Sequence, residues 1–101
     1  MIYFITTISL LDDKTIHDCR TVGYYHSFGE AFECCQKNYC DIFEDGYYNY
    51  AAIVAIDAGL YQNRIIQQWF KYEPDTKGSY AIVEYHKNPD GLENWRPYII
   101  G

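Results

Sequence analysis

Clustered positive charge is the first thing this sequence lacks. Eight Lys and Arg stand against fourteen Asp and Glu, a formal net charge of −6. Binding to free nucleic acid depends on grouped cations that neutralise phosphates, so that partner class is excluded. A nucleotide-sized ligand needs only one or two arginines and stays open. The acids (Asp12, Asp13, Glu30, Glu33, Asp41, Glu44, Asp45) are scattered with no run longer than two. That pattern suits solubility better than mimicry of a nucleic acid.

Catalytic signatures are missing as well. There is no Gly-rich phosphate loop, no nucleophile elbow and no His-Glu-x-x-His helix. The histidines, His17, His26 and His86, are isolated from one another. Asp41 and Glu44 stand three apart beside Cys40, a spacing open to a general-base pair or to metal ligands. Solvated turn acids explain them better, and the chain reads as a non-enzyme. Cys19, Cys34, Cys35 and Cys40 show no Cys-x-x-Cys or Cys-x-x-His spacing, so neither a metal nor another cofactor is expected. Met1 to Leu11 is apolar, yet it has no basic leader or cleavage site and is too short to span a bilayer. The expectation is a cytoplasmic protein with free thiols and no membrane partner.

Aromatic side chains, by contrast, are abundant: twelve Tyr, five Phe and two Trp in 101 residues. Tyrosine tolerates a half-wet position, because its ring packs while its hydroxyl keeps a partner. The excess lines either a core with polar edges or a contact surface. The length fits one domain, residues 1–101, with a single core.

The hydrophobic pattern predicts an α+β fold. Met1 to Ser9 is β-branched and aromatic on both alternating sets, as in a central strand. A polar link leads to a second strand over Cys19 to Tyr25. Ser27 to Glu30 fits a capping box, and Phe28, Ala31, Phe32, Cys35 and Tyr39 form a stripe of helical period. That stripe predicts one amphipathic helix over Phe28 to Asn38, with Cys34 at its margin as the more accessible thiol. Tyr47 to Asp57 is a third strand, with Tyr48, Tyr50, Ala52, Val54 and Ile56 on one face. Ile65 to Tyr72 and Tyr80 to His86 form a closing hairpin around the Pro74 to Gly78 turn. A helical turn around Trp95 and an edge segment at Tyr98 to Ile100 follow. The order is β-β-α-β-β-β in a five-stranded, mainly antiparallel sheet. One helix covers one face, so the aromatic opposite face is expected to be covered by a ligand, a partner or a second copy in a homo-oligomer.

Arg20 sits mid-strand, where a cation needs a reason to be. It either pairs with an acid on a neighbouring strand or forks onto a phosphate or carboxylate. In the second case Tyr24, Tyr25, Tyr50 and Trp69 are its stacking surfaces, with Arg64 and Arg96 as further cations. The candidate ligand-binding residues are therefore Arg20, Tyr24, Tyr50, Trp69 and Arg96. The same residue types anchor protein interfaces.

Several stretches carry a resemblance: Arg20-Thr21-Val22-Gly23-Tyr24, Glu30-Ala31, Cys40-Asp41-Ile42-x-Glu44, Tyr48-x-Tyr50-Ala51, Gly59-Leu60-Tyr61, Trp69-Phe70 and the closing Ile100-Gly101. Together they resemble a family of small uncharacterised proteins of gut Firmicutes and their phages, over roughly Met1 to Tyr72. The resemblance implies a mobile-element setting, the host cytoplasm and a role against host defence. It brings no functional residues with it. The expected function is a non-catalytic sponge that sequesters a nucleotide immune signal. The alternatives are a direct protein-binding inhibitor of a host defence protein and a small hydrolase of a signalling nucleotide.

Overall fold

A computed structural model of the chain describes residues 1–59, 64–74, 76, 80–92 and 95. Five strands and one helix follow in the predicted order: β1 (Ile2–Leu10), β2 (Ile16–Tyr25), α1 (Phe28–Gln36), β3 (Tyr50–Ile56), β4 (Arg64–Pro74) and β5 (Tyr80–Tyr85). A short 3-10 turn, Tyr39–Asp41, follows α1. The sheet order is β2-β1-β3-β4-β5, and every neighbouring pair is antiparallel. Strands β2 and β3 flank β1 and so run in the same direction, which requires a crossover, and α1 provides it. Among the described residues no helix is long and apolar enough to cross a membrane.

The helix begins where the sequence signals it. Ser27 Oγ accepts a hydrogen bond from the Glu30 N–H at 3.4 Å. It stops two residues earlier than the apolar stripe suggests, because Asn38 turns left-handed at φ 50°. Tyr39 therefore leaves the stripe and stands 45 % exposed on the following turn. Cys34 and Cys35 both face the sheet and are buried, at 6 % and 0 % exposure, so neither is an accessible thiol. Ala31, Cys34 and Cys35 pack with Ile5, Ala51, Ile53, Phe70, Phe43 and Tyr48 into a core on the first face of the sheet. Tyr48 thus belongs to this face, opposite Tyr50, because regular pairing of β3 starts only at Tyr50.

The second face has its own core of Ile8, Tyr50, Ala52, Val54, Ile56, Trp69 and Leu92. Its cover comes from the chain itself. Past β5 the backbone turns back over the sheet, with Leu92 N–H bonded to the Pro89 carbonyl and Trp95 N–H to the Leu92 carbonyl. Trp69 Nε1–H donates to Asn88 Oδ1 at 3.1 Å, and the Trp95 ring lies 5.8 Å from that of Trp69. Gly91 makes the close approach possible: its φ is 86°, and a Cβ there would sit 2.6 Å from the Lys14 carbonyl oxygen. The central aromatic face expected to need an external cover is thus sealed internally.

Three bulges set which side chain faces where. Pairing between β1 and β2 slips at Val22 and again at His17, and pairing between β3 and β4 slips at Gln67. Each extra residue reverses the alternation of side chains beyond it.

Candidate functional site

A concavity of about 430 Å³ opens on the first face between β2 and the turn after α1. Its walls come from two stretches far apart in sequence: Arg20, Val22 and Gly23 on β2, and Tyr39 to Ile42 with Glu44 on the turn. Ile5, Tyr25 and Cys34 complete the lining. The volume falls within the usual range of small-molecule pockets, about 300–1,000 Å³.

The turn is built to present polar groups outward. Ile42 and Phe43 plug into the core and fix its position. The Asn38 side chain braces it twice, accepting from Phe43 N–H and donating to Asp41 Oδ1, both at 3.2 Å. The same Asp41 oxygen accepts from Asp45 N–H at 3.2 Å. Asn38, Cys40, Asp41, Glu44 and Asp45 all have positive φ, between 48° and 56°. Left-handed backbone costs a non-glycine residue about 1 kcal/mol or more, and such strain concentrates at functional sites.

Arg20 stands at the mouth of the groove with its Nη1 3.8 Å from Glu44 Oε2, and the two side chains are 64 % and 48 % exposed. This contact lies beyond hydrogen-bond reach, so the guanidinium and carboxylate are neighbours without being locked together. Of the two readings open for Arg20, the structure shows an acid nearby, and it lies on the turn, not on a neighbouring strand. On the floor, the Tyr25 hydroxyl donates to Cys34 Sγ at 3.4 Å. That bond, with the negative charge Cys34 can carry, pushes the Tyr25 phenol up to about 12. Burial raises the Cys35 thiol further still, which makes it inert. Gly23 has open space where a side chain would begin, with no atom within 4 Å of the position a Cβ would take.

The predicted ligand residues are not gathered in one place. Arg20 pairs with Thr7 and faces the first side of the sheet; Tyr24 pairs with Phe4 and faces the second. In a regular strand they would share a face, but the Val22 bulge between them reverses the alternation. Tyr50 and Trp69 lie in the second core at 9 % and 4 % exposure, so they offer no free ring to a ligand. Tyr24 is 56 % exposed, its ring between Phe4 and His26 at 5.6 and 5.8 Å. Arg96 lies outside the described residues. None of the histidines lines the groove. Among the described residues no group of three or more His, Cys, Asp or Glu is placed to hold a metal ion. Gly23, Tyr39 and Cys40 were not foreseen as site residues, although Gly23 and Cys40 belong to two of the patterned stretches. It is those stretches, Arg20 to Tyr24 and Cys40 to Glu44, that meet in the groove.

Compared with family models, with curated proteins and with solved structures, the chain matches none.

Proposed function

We propose that the chain is a binding protein, and that what it binds is a small nucleotide-type molecule held in the groove beside Arg20. It sequesters this ligand without turning it over. In the mobile-element setting that the resemblance implies, the ligand is a nucleotide immune signal. One observation carries the reading: a ligand-sized groove lined by Tyr25 and Tyr39 together with an exposed, loosely paired Arg20. Arginine forks onto paired acceptors, and tyrosine faces stack on bases.

The test is a thermal-shift screen of the intact chain against nucleosides, nucleotides and cyclic di- and trinucleotides. Ligand at 100 times its dissociation constant adds about 2.7 kcal/mol, a rise of many degrees in a domain of this size. The bound compound should return chemically unchanged after heat denaturation. Return of a cleaved product would replace the sponge with a hydrolase, and a flat screen would remove the nucleotide reading.

A second reading, direct inhibition of a protein, has its own observation. Tyr24 stands exposed at the sheet edge, outside the cover over the second face. Exposed tyrosines of this kind anchor protein interfaces. A partner that co-purifies with the wild type and is lost with Tyr24→Ala would support it.

A further inference from the structure

The groove places a cation and a carboxylate side by side, and that order of charges restricts which base it accepts. We infer that the ligand is a guanine nucleoside or nucleotide, read through its base by Arg20 and Glu44; this rests on the nucleotide reading above. Going round its edge, guanine presents two adjacent acceptors, N7 and O6, followed at once by two adjacent donors, N1–H and the N2 amino group. A guanidinium fork suits the first pair and a carboxylate the second. Arg20 and Glu44 stand 3.8 Å apart, close enough to serve neighbouring edges of one base and too far apart to satisfy each other.

The other bases fail on sign. Adenine sets its N6 amino donor next to N7, against the guanidinium, and its N1 lone pair against the carboxylate. Pyrimidines lack an N7. Glu44, not Asp41, is assigned the donor pair, because Asp41 Oδ1 already accepts from Asn38 and Asp45 and is fixed as part of the turn. Tyr39 is the candidate stacking residue: it lines the groove, and its hydroxyl donates to Glu33 Oε1 at 3.3 Å. Base recognition also agrees with the local charge. With Asp41 and Glu44 on the rim and a net charge of −6, a phosphate gains little by entering, so the phosphate is left facing solvent.

Calorimetric titration of the intact chain with guanosine, GMP, inosine, 7-deazaguanosine and adenosine tests this. Guanosine and GMP should bind within about threefold of each other, and the other three about tenfold or more weaker, since each lost or reversed bidentate pair removes that much discrimination. Glu44→Gln, at an exposed position, should leave the fold intact and abolish the preference of guanosine over inosine. Adenosine binding as well as guanosine would overturn the guanine assignment while leaving a nucleotide ligand in place. GMP binding far more tightly than guanosine would also overturn it, because Arg20 would then hold a phosphate. If no nucleoside or nucleotide binds at all, this inference and the proposed function fall together.

Discussion

The two faces of the sheet carry similar side chains and have opposite fates. The second face gathers Tyr50, Trp69, Tyr85 and Trp95 and is closed over by residues 88–92, which leave its centre dry. The first face is covered by a helix, but the turn after that helix stops short of β2, and a groove of about 430 Å³ remains. Aromatic content alone therefore does not mark a contact surface. What separates the faces is backbone: a glycine at Gly91 lets one segment lie flat, while left-handed residues from Asn38 to Asp45 hold the other segment up and away. The face closed over by its own chain is structural, and the face with left-handed backbone, mixed charge and open volume is the one proposed to bind.

The sharpest way to break this contrast is to truncate the largest ring of the sealed face. Trp69→Ala should cost about 3–5 kcal/mol, the usual loss for a buried Trp, and with it the Asn88 hydrogen bond. Urea denaturation should show an earlier midpoint with an almost unchanged slope. Were the second face a ligand site instead, the same substitution would cost binding and leave stability nearly untouched.

Much of this fold was legible in the sequence, and the exceptions have physical causes. The order of elements followed from period-2 and period-3.6 patterns and from a cap at Ser27, all local signals. Bulges are not local: Val22 is extra only relative to β1, so nothing in the sequence around it warned that Arg20 and Tyr24 face opposite ways. The cover over the second face was missed because Asn88 to Leu92 has no periodicity; its turn residues read as a connection, whereas Pro89 and Leu92 are buried. In the groove, Arg20 was visible as a cation in a strand and Glu44 as a turn acid. Their pairing was not, since it depends on how α1 lays the following turn beside β2.

A smaller effect should appear with pH, and both faces share it, since burial also raises the Tyr50 phenol on the second face. Burial raises the Tyr72 phenol above the usual range, and the bond to Cys34 raises that of Tyr25 to about 12; both pack against the first-face core. A phenol whose folded value is raised is protonated in the native state at a pH where the unfolded chain has begun to ionise. Its contribution is therefore fully present below about pH 10, the unfolded value, and is lost as pH climbs from there through the folded value. Urea midpoints should begin to fall at about pH 8.5, where the Cys35 thiol would ionise in the unfolded chain, and fall more steeply between about pH 10 and 12 as the tyrosines join it. Tyr72→Phe and Tyr25→Phe should each flatten that fall, and an unaltered slope in both would show that these hydroxyls are not held as the structure places them.

The smallest effect on stability is expected where the effect on binding is greatest. Gly23 lies on β2 beside the groove, its backbone is not left-handed, and no atom lies within 4 Å of where a Cβ would stand. Gly23→Leu therefore adds a side chain to empty space in a strand, where replacing glycine also removes its entropic handicap. Its stability should stay within about 0.5 kcal/mol of the wild type, as for substitutions that disturb no packing. The added side chain occupies the volume a base would fill, so a ligand that stabilises the wild type should produce no thermal shift in the variant. Unchanged binding in Gly23→Leu would place the ligand elsewhere. Loss of stability on the scale of Trp69→Ala would mean that the groove is filled, and that the two faces are alike after all.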